Sequence, residues 1–175
     1  MNYIRFSIIT ALFFSSLLFS SCGKDESRNG TATLSVRLHD SPAAIDSVLV
    51  EILEVRVHTN STGWLTLATV SGIYDLLLLQ NGIDTLLVPP QQIGAGTISQ
   101  IRFILGDDNR VVADSVSYSL ALSSQDESGL KLNLHADILA GQQYTIIVDF
   151  DAEQSVIQQG NGTYRLKPVL RAAIQ

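Results

Sequence analysis

The sequence predicts an all-β fold, a two-sheet antiparallel β-sandwich, Ig-like in type, with about eight or nine strands. Three observations carry this. Apolar and polar residues alternate at period two from Thr31 onward, which argues strands over helices. Turn-forming clusters interrupt the alternation roughly every ten residues. The composition, 46% hydrophobic and 16% charged, is that of a globular chain with room for one domain.

Taken in order, Ala32, Leu34, Val36 and Leu38 alternate with Thr33, Ser35, Arg37 and His39, so the first strand has one buried and one wet face. In the second, Val48, Val50 and Ile52 share a phase, whereas Leu53, Val55 and Val57 share the opposite one; a β-bulge near Leu53 reconciles them. Asn60-Ser61-Thr62-Gly63 turns the chain into a short strand with Trp64, Leu65 and Leu67. Residues 74–79 contain four consecutive leucines, where periodicity does not separate a buried strand from a helical turn. Residues 83–96, with Pro89-Pro90, read as a connection crossing between sheets. Ile101, Phe103 and Leu105 form the next strand, and Asp114-Ser115 joins residues 111–113 to 116–122 as a hairpin. Leu130, Leu132, Leu134, Ala136 and Ile138 alternate with Lys131, Asn133, His135 and Asp137, and after the Ala140-Gly141 turn Tyr144, Ile146, Val148 and Phe150 form a returning inner face. Residues 152–159 read as one or two helical turns. A last strand carries Tyr164 and Leu166 and ends, or lies at an edge, at Pro168.

Ahead of this body lies a different kind of sequence. Arg5 and the free amine precede an apolar run over residues 8–19, and Ser20-Ser21 lead to Cys22. This is the signal-peptide pattern, too short for a membrane-spanning helix. Cys22 is the sole cysteine, which excludes an internal disulfide and a multi-cysteine metal site. Leu18-Phe19-Ser20-Ser21-Cys22-Gly23 resembles a bacterial lipobox, with Leu one position further from the cysteine than usual. The expected organisation is a signal peptide over residues 1–21, a lipidated tether over 22–30 and one domain over 31–175. Acyl chains would hold the protein on the membrane at about 0.8 kcal/mol per buried methylene. Lys24-Asp25-Glu26 resembles the signal that sends Bacteroidetes lipoproteins to the outer face of the outer membrane; the alternatives are a plain solvated tether and a periplasm-facing protein.

Removal of residues 1–21 takes away Arg5 and no acid, so the formal charge of −6 becomes −7. Such a surface repels phosphate backbones, and no basic cluster with interleaved aromatics offsets it, which argues against nucleic acid as a partner. No nucleophile elbow, His-Glu-x-x-His, phosphate loop or paired-cysteine motif occurs, so the chain reads as a non-enzyme. His39, His58 and His135 each fall on the polar phase of a strand and read as solvated.

Three groups of residues have chemistry to weigh. Asp149 and Asp151, at i and i+2, would share a strand face, with Glu153 and the Ser155 hydroxyl nearby. Such carboxylates either chelate a hard cation, a weak calcium site, or need compensation. Lys131 and Lys167 are the expected donors, and an aspartate capping a turn at Ala152 is the structural alternative. No other cofactor is expected. Trp64 and Tyr74 are candidate sugar-stacking rings or, alternatively, core residues. Ser47, Thr85 and Ser115 sit in Asp-Ser-Val and Asp-Thr-Leu triplets that resemble the O-glycosylation acceptor of exported Bacteroidetes proteins.

Several longer segments carry a family resemblance: Thr33-Leu34-Ser35-Val36 with Asp40-Ser41-Pro42-Ala43, Gly96-Thr97-Ile98-Ser99-Gln100-Ile101-Arg102, Ser128-Gly129-Leu130-Lys131, Asp149-Phe150-Asp151-Ala152, and Gly160-Asn161-Gly162-Thr163-Tyr164-Arg165-Leu166-Lys167-Pro168. Over residues 30–173 the chain resembles the bacterial lipoproteins with domain of unknown function 4382. Ile98 departs from the Tyr that family favours after the Gly-Thr turn. The resemblance implies an exported sandwich, of the transthyretin or carboxypeptidase-regulatory kind, and no activity. The expected role is therefore a membrane-anchored surface or periplasmic module binding a glycan or a protein partner. The alternative is a structural accessory subunit pairing through a sheet edge with another envelope protein.

Overall fold

The computed structural model describes residues 29–41, 45–122, 128–160 and 162–175; Cys22, Lys24, Asp25 and Glu26 lie outside them. The strands are β1 (Thr31–His39), β2 (Ser47–Thr59), β3 (Gly63–Thr66), β4 (Gly72–Asp75), β5 (Thr85–Gly94), β6 (Gly96–Leu105), β7 (Arg110–Ala113), β8 (Val116–Leu122), β9 (Leu130–Ile138), β10 (Gln143–Phe150), β11 (Val156–Gln158), β12 (Tyr164–Leu166) and β13 (Leu170–Ile174). One helical turn, α1 (Ala152–Ser155), separates β10 from β11. The four-stranded sheet has the order β13-β10-β1-β5, and the nine-stranded sheet the order β11-β12-β8-β7-β2-β6-β9, with β3 and β4 also paired to β2.

The fold is the all-β sandwich the alternation predicts, and its core is the predicted phase. Ala32, Leu34, Val36 and Leu38 of β1 and Ile146, Val148 and Phe150 of β10 are buried, as are Val48, Val50, Ile52, Val55 and Val57 of β2 and Ile101 and Phe103 of β6. Each large aliphatic or aromatic side chain buried this way contributes about 1.5–3 kcal/mol. The phase change in β2 is a bulge: pairing with β6 shifts register between Ile52 and Glu54. Leu53 is thereby turned outward, 45% exposed.

Several expectations are corrected. Residues 83–96 are mostly strand. The chain does pass between sheets here, but β5 pairs antiparallel with β1, and its register jumps where Val36 faces Val88 and Leu34 faces Gln91, leaving Pro89-Pro90 as the bulge. β5 is an edge strand, where a proline's missing N–H costs no ladder bond on the open side. β10 does not return along β9; β9 pairs with β6, and β10 pairs parallel with β1. The sandwich is therefore not wholly antiparallel, since β12 also runs parallel to β8. These parallel partners are distant in sequence, so no tight hairpin dictates their direction. The leucine run divides, with Tyr74 in β4 and Leu76–Leu79 a 3-10 turn. The strand at Tyr164 and Leu166 is not the last, because β13 follows Pro168 and pairs with β10. Among the described residues there are thirteen strands rather than eight or nine: the additional ones are β4, in the ambiguous leucine stretch, β5, expected as a connection, β11, expected as part of a helical segment, and β13, beyond Pro168.

Candidate functional site

The outward phase of β3, β2, β6 and β9 builds one continuous face. Because paired residues on neighbouring strands point to the same side, register alone groups the side chains into rows. One row runs Trp64, His58, Gln100, Asn133, and the next runs Thr66, Arg56, Arg102, Lys131. Trp64 is 40% exposed. His58 meets it edge-on with ring centroids 5.1 Å apart, and the Arg102 guanidinium lies 4.2 Å from its centroid. His58 is itself fixed by a 2.8 Å bond between Nδ1 and the Ser99 hydroxyl. Gln100 Nε2 donates to Asn133 Oδ1 at 3.0 Å.

The second row is a line of cations. Arg56 is neutralised by Glu54. Arg102 and Lys131 have no carboxylate partner among the described residues, and the Arg102 Nε is buried without a hydrogen-bond partner there. Lys131 also lines a cleft of about 320 Å³ with Ser128, Leu130, Pro168 and Leu170.

Tyr74 is not part of this face. It pairs with the core residue Val50, so it lies on the inner side of the sheet whose outer side carries Trp64. Its hydroxyl donates to the Val70 carbonyl, and burial pushes that phenol above its ordinary range. The two rings expected as stacking platforms are therefore on opposite faces.

The acidic group is arranged differently from the strand-face expectation. β10 ends at Phe150, so the alternation that would align Asp149 with Asp151 stops short of Asp151. Asp151 is the N-cap of α1, accepting from the Gln154 backbone N–H at 3.0 Å and from the Gln154 side chain. Ser155 is also taken up: its hydroxyl donates to the Asp151 carbonyl and accepts from the Val169 N–H at 2.8 Å. Glu153 is exposed in the first turn of α1. Asp149 receives the Ser41 hydroxyl at 3.2 Å and lies 3.7 Å from Arg171 and 3.9 Å from His39. The compensating partners are these, not Lys131 or Lys167, because β13 rather than β9 or β12 borders β10. Among the described residues, no three His, Cys, Asp or Glu side chains form a group that could hold a metal ion.

Asp40, unremarked in the sequence beyond its motif, completes this corner. Its carboxylate is buried, accepting from the Ala152 N–H at 2.8 Å and from Gln80 Nε2 at 3.1 Å. Burial raises its pKa above the ordinary aspartate value, and the charge of Asp149 adds to the rise, while the two donors oppose it.

The three glycosylation candidates differ in access. Ser115 is exposed at the β7–β8 hairpin tip, where Asp114 and Ser115 both have positive φ, the two-residue geometry expected for such a turn. Its N–H donates to Asp46 at 2.9 Å. Ser47 is half-buried and donates to Asp75 at 2.9 Å. Thr85 is half-buried at the start of β5, beside the Arg37–Asp84 ion pair.

With this geometry in place, comparison with known families is informative. The family model described as Domain of unknown function (DUF4382) matches residues 31–168. The chain belongs to this family. The DUF4382 match begins at the first residue of β1 and ends between β12 and β13, so it covers nearly the whole sandwich. No curated protein and no solved structure matches the chain. Sequence reasoning singled out Trp64 but missed that His58 and Arg102 meet its ring and that Gln100 and Lys131 share its face. Their outward phase was legible; the register that aligns them across four strands was not.

Proposed function

We propose that this DUF4382 protein is a lipid-anchored cell-envelope module, held through Cys22 and directed to the cell surface by Lys24-Asp25-Glu26, whose sandwich binds a glycan and does no chemistry on it. The observation that supports binding is Trp64. Trp64 is 40% exposed on a polar face, with His58 edge-on to its ring and the Arg102 guanidinium over one side of it; in this reading a sugar stacks on the side Arg102 does not cover, among hydrogen-bonding groups. Sandwich folds host many functions, so the argument rests on this face rather than on the architecture. Among the described residues, no helix is long and apolar enough to cross a membrane, and in this reading acyl chains supply the attachment.

The binding test is retention of the full chain by immobilised polysaccharides, with Trp64→Ala alongside. Loss of retention in the variant supports the reading; unchanged retention removes Trp64 from it. The anchor is tested by labelled palmitate, which Cys22→Ala should no longer take up. Protease added to intact cells should remove the domain, and alanine at Lys24, Asp25 and Glu26 should protect it.

A further inference from the structure

We infer that the outer face of the nine-stranded sheet is a site for an acidic polysaccharide, with a sugar ring stacked on Trp64 and its carboxylates held by Arg102 and Lys131. This rests on the glycan-binding reading above and narrows it to one class of sugar.

The argument begins from charge. The chain carries a formal −6, yet Arg56, Arg102 and Lys131 stand directly opposite one another on three adjacent strands. Like charges in that position repel. Among the described residues Arg37, Arg56, Arg110 and Arg171 each sit beside a carboxylate; Arg102, Lys131, Arg165 and Lys167 have none, and of these only Arg102 and Lys131 stand opposite each other in a strand pair. A ligand carboxylate between Arg102 and Lys131 relieves their mutual repulsion, and the guanidinium fork matches carboxylate geometry in a way a lone ammonium does not.

The neighbouring row adds what a sugar needs besides charge. Gln100 and Asn133 present amides, each with donors and an acceptor suited to hydroxyl groups. Strands lie about 4.8 Å apart, so the track from Trp64 to Asn133 crosses about 14 Å. A protein partner fits less well. Trp and Arg are enriched in protein interfaces too, but Lys is depleted there, whereas here the cation row ends in Lys131 and the next row in the amides of Gln100 and Asn133. A neutral glycan would leave the cation row without a role.

The test is affinity electrophoresis of the full chain in neutral detergent, through gels carrying polygalacturonate, alginate or hyaluronate, and through gels carrying dextran, galactan or xylan. Poly-glutamate and the free uronate polymer are added as competitors in parallel runs. The expected result is retardation by at least one uronate polymer, little by the neutral ones, and weakening as salt screens the charges. Arg102→Gln combined with Lys131→Gln should weaken it about tenfold or more, and Trp64→Ala should also reduce it, with Trp64→Phe restoring part. Thermal melts of the variants that match wild type show that the fold survives; Arg102→Lys, which keeps charge but not the fork, serves if the double variant does not fold. Uronate retention unchanged in the variants overturns the inference. Poly-glutamate competing as well as free uronate also overturns it, and assigns the face to an acidic protein segment. Retention by neutral polymers alone overturns the acidic assignment and leaves glycan binding standing. No retention by any polysaccharide overturns both.

Discussion

Two polar regions of this molecule make an instructive pair. At the corner where β1, β10 and α1 meet, Asp40, Asp149 and Asp151 are each engaged: Asp40 holds the start of α1 and Gln80, Asp151 caps the same turn, and Asp149 has Ser41 with Arg171 and His39 close by. On the outer face of the larger sheet, Arg102 and Lys131 lack such partners among the described residues, and Trp64 stands 40% exposed. The corner resembles a ligand site in sequence and works as a fastener in the structure. The face is inconspicuous in sequence and, among the described residues, leaves Arg102 and Lys131 without a carboxylate. The number of charged residues in a stretch of chain thus does not tell whether the fold engages them.

This contrast can be broken at either end. The largest effect is expected from Asp40→Ala, which leaves the Ala152 N–H and the Gln80 amide without their acceptor; the loss should be about 2–3 kcal/mol in urea unfolding. A loss within about 0.5 kcal/mol, the range of an ordinary surface substitution, would mean the corner is not a fastener. Asp151→Ala removes the cap of a single turn and should cost about 1 kcal/mol by the same measurement, with Asp151→Asn retaining most of it.

The pH dependence sharpens the comparison further. Asp40 has a folded-state pKa above its ordinary 3.8, so the folded state takes up the proton first. As pH falls from neutral through that raised value to 3.8, wild type should gain stability relative to Asp40→Asn, and the gain should be complete below 3.8. Asp84 and Asp108, held below the ordinary value by Arg37 and Arg110, act with the opposite sign, their contribution fading as pH drops through their lowered values. Subtracting the Asp40→Asn melting curve from wild type at each pH isolates the Asp40 contribution. A difference that shrinks on acidification would contradict the raised pKa.

On the open face, Lys131→Gln should change stability by less than about 0.5 kcal/mol, on the stabilising side, because it relieves repulsion from Arg102. Destabilisation beyond that range would reveal an internal partner for Lys131 and dissolve the distinction between the regions. The smallest effect is the one expected from calcium. With Asp151 capping α1 and Asp149 near two basic side chains, calcium at about 10 mM, above the affinity range of weak extracellular sites, should leave the melting temperature where a chelator leaves it. A rise abolished by Asp149→Asn would instead assign a cation to the corner.

Period-two alternation placed the core faces of β1, β6, β9 and β10 correctly, and the phase conflict at Leu53 marked a real bulge, because burial of one strand face is a local demand written in successive residues. Asp114-Ser115 was legible as a turn for the same reason. Tertiary structure alone decided what lies beside what. Nothing local distinguishes a β10 that folds back on β9 from one that crosses to pair with β1. A double proline tolerated at an open edge and one that ends a strand read alike. The alignment of Trp64, His58, Gln100 and Asn133, and of Arg56, Arg102 and Lys131, depends on the registers of three separate strand pairings, with bulges at Leu53 and Ser99 shifting two of them. One residue of slip in any of them would send a whole strand's polar side chains to the other face. Residue identity and face are thus local properties, whereas partnership across strands is set by long-range pairing, and it is partnership that separates the fastened corner from the open face.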